Sequence, residues 1–232
     1  MKKSIAPFWL GVQALALSAC GATSGEGELG YDLFRYACVE RSDAACVELG
    51  AGVKPVVLEA VPVLVKGGVF RLVTEDPRNT AVSPTGRIAP IEGELGTFRA
   101  EIPGYAAIFS IDKNNNLVDF FHLTVVEPAA ALLLFRQGPS VWVKPGGTLT
   151  VPVGSSAELR VVPIDAKGNM LAGSLAVVWT SMPPELLGAI ATKDGNVLLI
   201  APTEPLVGEL LVSVAGGLKA QVNFIASQGG MR

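Results

Sequence analysis

Apolar and polar residues alternate in short runs along this chain, and glycine or proline cuts each run after a few positions. Val69–Thr74 sets Phe70 and Leu72 on one side and Arg71 on the other. Thr97–Ile102 sets Phe98, Ala100 and Ile102 against Arg99 and Glu101, and Glu158–Ile164 sets Leu159 and Val161 against Glu158 and Arg160. Successive side chains of a strand point to opposite faces, so this pattern describes half-buried strands. With 26 glycines and 16 prolines among 232 residues, and no helical stretch of consequence beyond the first twenty, the chain is expected to be all-β.

The runs fall into two series. Val56–Val65, Val69–Thr74, Thr97–Ile102, Tyr105–Ile111 and Leu117–Val126 form the first, after a short strand in DLFRYACVE. Ala130–Phe135, Thr148–Val153, Glu158–Ile164, Leu175–Thr180, Asn196–Ala201, Val207–Ala215 and Leu218–Ile225 form the second. DKNNN (112–116) and Asp165–Asn169 read as turns, and Gly216-Gly217 as a two-residue hairpin loop. Three segments recur in pattern: GTFRAEIP with GNVLLIAP, GYAAIFSI with VGELLVSV, and LVDFFHLTV with LKAQVNFIA. Two tandem β-sandwiches are therefore expected, at 31–127 and 128–226, meeting near Pro128, with a tail at 227–232.

The stretch from Ala157 to Phe224 carries a D-x-x-G-N turn (Asp165, Gly168, Asn169), a V-x-W-T-S strand (Val177, Trp179–Ser181) and closing strands after Gly195. In these parts it resembles a bacterial immunoglobulin-like domain of the invasin and intimin type, over roughly Ser140–Ile225. The first series resembles it more weakly and lacks the tryptophan. The resemblance implies an immunoglobulin-like fold and a broad role in display or adhesion. It names no partner, since the shared motifs are structural.

The N-terminal residues give an address. Lys2 and Lys3 precede an apolar stretch, Ile5–Leu17, too short for a transmembrane span of about 20 residues. Leu17-Ser18-Ala19-Cys20 then resembles the lipobox of a bacterial lipoprotein, which implies a signal peptide at 1–19, cleavage before Cys20, and acyl chains such as palmitate on that cysteine. Gly21 stands where Asp commonly retains such proteins in the inner membrane of Gram-negative bacteria, so the resemblance favours the outer membrane. GATSGEGELG, ending at Gly30, reads as a flexible tether over 20–30. If Cys20 carries lipid, Cys38 and Cys46 remain, and an even remainder in an exported protein suggests a disulfide. A metal site without nearby histidine and a reactive thiol pair without CxxC spacing are the weaker readings.

Chemistry is sparse. Loss of Lys2 and Lys3 with the leader takes the formal charge from −3 to −5, which argues against nucleic acid as a partner. His122, the one histidine, falls beside Phe120 and Thr124, on the face of its strand opposite Phe121, Leu123 and Val125. No G-x-S-x-G elbow accompanies it, so it reads as an outward strand histidine. Acidic residues sit mostly in turns and at outward positions, as on a solvated surface. Asp112, Asn114, Asn116 and Asp119 resemble the start of a calcium loop, but Leu117 and Leu123 stand where that loop needs Gly and Glu, and a hairpin turn is the simpler reading. Tyr105, Phe120, Phe135 and Trp142 could line a ligand surface only if the fold gathers them, and isolated strand aromatics are more often core. No metal or cofactor is expected. The expectation is a non-enzymatic envelope lipoprotein: a structural, display or protein-interaction module held at the membrane through its lipid. A ligand- or carbohydrate-binding module is the alternative, and a hydrolase subunit a distant third.

Overall fold

The computed structural model describes residues 25–40, 43–45, 56–57, 63–84, 86–138, 142–194 and 197–228; Cys20 and Cys46 lie outside them. Nine strands make up the first half: β1 (Phe34–Ala37), β2 (Val56–Val57), β3 (Val63–Val65), β4 (Val69–Thr74), β5 (Thr80–Val82), β6 (Ile88–Pro90), β7 (Thr97–Ala100), β8 (Gly104–Ile111) and β9 (Leu117–Val126). The second half holds β10 (Ala130–Gln137), β11 (Thr148–Pro152), β12 (Ala157–Ile164), β13 (Val177–Met182), the short helix α1 (Pro184–Ile190), β14 (Ala191–Asp194), β15 (Val197–Ile200), β16 (Leu206–Val214) and β17 (Leu218–Ser227).

Each half is a sandwich of two sheets. In the first the orders are β2-β1-β4-β7-β6 and β3-β9-β8-β5; in the second, β10-β12-β15-β14 and β11-β17-β16-β13. Apart from the added β2, the two match strand for strand, down to the parallel pairing of β3 with β9 and of β11 with β17. The orders correspond to the ABED and CFG sheets of an immunoglobulin-like sandwich, with a short extra strand beside G. The three segments that recur in the sequence are β7, β8 and β9 against β15, β16 and β17, which occupy equivalent places.

Alternation explains most of the packing. Phe70 and Leu72 of β4 are buried while Arg71 is exposed, and Phe121, Leu123 and Val125 of β9 enter the first core. Trp179 sits in the second core with Leu159, Leu198, Val212 and Phe224. Several details differ from the sequence reading. Ile102 lies past the end of β7 and is exposed. Val214 pairs with Leu218, so the last hairpin loop is Ala215–Gly217, with positive φ at both glycines. β5 and β6 are three-residue strands too short to alternate visibly. Arg160 is buried although it faces away from the core, because the segment carrying Trp142 roofs that face over Leu134 and Val162.

Residues 25–30, read above as the end of a tether, are instead hydrogen-bonded to the first sandwich. The N–H of Glu28 donates to Phe120 O at 2.8 Å, and that of Phe34 to Gly25 O at 2.6 Å. The fully buried Asp119 carboxylate accepts the N–H groups of Leu29 (2.9 Å), Tyr31 (2.7 Å), Asp32 (3.0 Å) and Phe120 (2.8 Å). Asp32, also buried, accepts Ser110 Oγ–H at 2.6 Å and Asn79 Nδ2–H at 2.8 Å. These acids are not part of a solvated surface. Both are satisfied by donors, as a buried carboxylate must be.

The two sandwiches are also joined by backbone pairing. The N–H of Val65 donates to Ala172 O (2.9 Å), that of Ala172 to Val63 O (2.8 Å), and Val69 and Ser174 exchange a pair of bonds at 2.8 Å. Val65 packs in the second core and Ala172 in the first. Gly68 and Gly173 permit this approach. Across the junction a Cβ on Gly68 would stand 3.4 Å from the Gly173 carbonyl carbon and one on Gly173 would stand 3.5 Å from Gly68 Cα, and Gly173 holds φ at +95°. Against this junction lies Asp43, buried, accepting Tyr36 Oη–H at 2.6 Å and Ala45 N–H at 3.0 Å, with a further bond from the backbone of Gly173.

Candidate interaction surface

The residues singled out in the sequence separate into three places. Tyr105 and Phe120 share the outward face of β8 and β9. Antiparallel register sets Tyr105 across from Thr124, Ala107 across from His122, and Phe109 across from Phe120. Since the odd positions of β9 and the even positions of β8 fill the core, these residues stand outside it. Tyr105 is 81% exposed. Phe109 and Phe120 meet edge-on with centroids 6.3 Å apart, and Phe120 meets the His122 ring at 5.2 Å and 79°. Such edge-to-face contacts order rings on a surface that water would otherwise leave free. His122 Nδ1 lies 3.2 Å from Glu28 Oε1, both side chains being about half exposed. Phe109 was not singled out in the sequence, although alternation along GYAAIFSI already puts it on the side of Tyr105.

Trp142 and Phe135 are elsewhere. Phe135 leans on the second core. The Trp142 ring packs beneath Arg136 (4.7 Å to the guanidinium carbon) and Arg160 (4.1 Å), which Glu158 bridges at 3.1 and 3.5 Å. Four aromatics therefore do not make one platform; two of them, with Phe109 and His122, make a strip on the first sandwich. The equivalent face of the second sandwich presents Val207, Glu209, Leu211 and Ser213 from β16 and Lys219, Gln221, Asn223 and Ile225 from β17, and carries no ring.

The DKNNN turn is a side-chain-capped hairpin. Asp112 Oδ1 accepts the N–H groups of Asn114 and Asn116, each at 2.8 Å, and Oδ2 accepts Asn116 Nδ2–H at 3.0 Å. The Asn116 side chain, ahead of its backbone N–H, holds the Asp112 carboxyl below the usual carboxylate range. Asp165 and Asn169 repeat the arrangement, with bonds of 2.8–2.9 Å. Asp119, on the other side of the calcium resemblance, is committed to the four backbone donors described above. Among the described residues no group of three or more His, Cys, Asp and Glu is arranged to hold a metal ion, and no helix is long and apolar enough to cross a membrane. Cys38 is buried and disulfide-bonded.

No protein-family model matches the sequence, and no curated protein does. Among solved structures, similarity is found to domains 1–6 of the surface layer protein SbsC, at 13% identity over 69% of this chain with a TM-score of 0.30. The Yersinia pseudotuberculosis adhesin InvE is 12% identical over 73% of this chain and 61% of its own, with a TM-score of 0.30. The tandem Ig repeats of Dlar are 13% identical over 73% of this chain and 93% of their own, with a TM-score of 0.25. The chain spans 23% of the SbsC structure.

Proposed function

We propose that this protein is a lipid-anchored module of the bacterial cell envelope that contributes binding surface rather than catalysis, and that a protein partner docks on the outward face of β8 and β9. The observation that supports this most directly is the strip of Tyr105, Phe109, Phe120 and His122 on an open sheet face whose counterpart in the second sandwich carries no ring. Exposed aromatics supply much of the energy in protein interfaces, because a rigid ring buries a large area at small entropic cost. Tyr105→Ala, at an exposed site, leaves folding unchanged to within about 0.5 kcal/mol. In pull-downs from detergent-solubilised envelopes it is expected to lower partner recovery about tenfold or more. Recovery equal to wild type from a Tyr105→Ala, His122→Ala double variant refutes the face. A glycan is the second reading, favoured by the polar His122–Glu28 pair beside the rings. Soluble envelope polysaccharide that competes away the recovered proteins would decide for it.

The anchor belongs to the same reading. Cys20 carries the lipid and Cys46 is the disulfide partner of Cys38, in the outer membrane of a Gram-negative cell. Each buried methylene of an acyl chain contributes about 0.8 kcal/mol, so two or more chains hold the protein durably. Cys20→Ser is expected to move it from the membrane to the soluble fraction; membrane retention of that variant would refute the anchor.

A further inference from the structure

We infer that the end of the first sandwich carrying Leu29, Tyr31 and Leu117 rests against the lipid bilayer; the inference depends on Cys20 being the anchor. Tyr31 is 75% exposed, and Leu29 and Leu117 are each 49% exposed. They belong to one end of the fold. Asp119 binds the N–H groups of Leu29 and Tyr31, and Leu117 lies two residues before Asp119 on the same strand. The described chain begins at Gly25, five residues after Cys20. Five residues span at most about 17 Å, so the acyl chains hold this end within that distance of the membrane.

The fold sets the orientation. β9 starts at Leu117, beside the N-terminal segment, and ends at Val126, four residues before β10 opens the second sandwich. Its ten residues span roughly 33 Å, so the second sandwich starts at the opposite end of the first. The anchor and the second sandwich therefore sit at opposite ends of β9, and the second sandwich is held away from the membrane. Tyrosine and leucine suit the interfacial zone, where a ring or branched chain sinks to the acyl boundary and a hydroxyl stays wet. Glu75 and Asp76 line the recess beside Tyr31, and each is paired with an arginine, Arg35 and Arg78, at 2.5 Å, so this end presents balanced charge rather than the basic patch that an anionic surface would attract. Zwitterionic phosphatidylethanolamine is the surface that this end fits.

The native tryptophans of the mature chain, Trp142 and Trp179, both lie in the second sandwich. The lipidated protein is reconstituted in phosphatidylethanolamine vesicles bearing a nitroxide near the headgroup. Tyr31→Trp, at an exposed position, places a reporter in the patch, and Leu117→Trp is the second reporter should the first disturb the fold. The added emission is expected to fall about twofold or more, since an interfacial ring lies within ~5–10 Å of the acyl boundary, while wild-type emission is unaffected. If the added emission of the vesicle-bound Tyr31→Trp and Leu117→Trp variants matches that in nitroxide-free vesicles, the contact is overturned and the anchor stands. Protein that does not float with vesicles overturns both.

Discussion

Asp119→Ala is expected to cost about 3–5 kcal/mol, because it strips a buried acceptor from four backbone donors at once. The N–H groups of Leu29, Tyr31, Asp32 and Phe120 all end on that carboxylate. An alanine also leaves a void against Gly27, whose Cβ, had it one, would meet Asp119 Cγ at 2.1 Å. In a domain pair of this size the midpoint falls by about 10 °C, measured on the lipid-free Cys20→Ser form. Asp119→Asn keeps the shape but turns an amide NH2 toward the same donors, so it should recover only part of the loss. A change below about 1 kcal/mol in Asp119→Ala would show that residues 25–33 are not fastened as described, since one lost bond is worth that much.

The second large effect is a pH dependence at the junction between the sandwiches. Burial, against the opposing bonds from Tyr36, Ala45 and Gly173, pushes the Asp43 carboxyl up to about 6 from its ordinary 3.8. Burial and the neighbouring Asp43 push the Tyr36 hydroxyl well above its usual value. The folded chain therefore holds a proton that the unfolded chain releases. The stabilisation is complete below about pH 4, disappears between pH 4 and 6, and stays lost above; it amounts to roughly 3 kcal/mol at 1.36 kcal/mol for each tenfold difference in proton affinity. Asp76, Asp112 and Asp165 are held below the usual range and act in the opposite direction. The informative quantity is therefore the difference in denaturant midpoint between the wild type and Asp43→Asn, followed from pH 4 to 7. A difference that does not change over that window refutes the buried, protonated Asp43.

Much of this fold could be read from the residues because strand packing is periodic and local. The bounds of β4 and β9, the outward His122, the capped turns at Asp112 and Asp165, and the repeat of the last three strands all follow from alternation and turn chemistry within about ten positions. β5 and β6 escaped because three residues hold too little of the period. Asp119 is the instructive case. Alternation along LVDFFHLTV already puts it on the side of Phe121 and Leu123, inside the sandwich. A carboxylate there requires donors, and these come from residues 87 to 90 positions away, as well as from its neighbour Phe120. Asp43 likewise reads as part of a polar loop between two cysteines, and its Gly173 partner lies in the other sandwich.

Alone, the sequence determined the strand class and the doubling of the sandwich, since both rest on neighbours in the chain. Tertiary structure alone decided which rings share a face, which acids are buried, and that Val65 and Ala172 lock the two halves together. Those outcomes depend on the desolvation and pairing of groups far apart in sequence, and only the assembled sheets bring such groups within reach of one another.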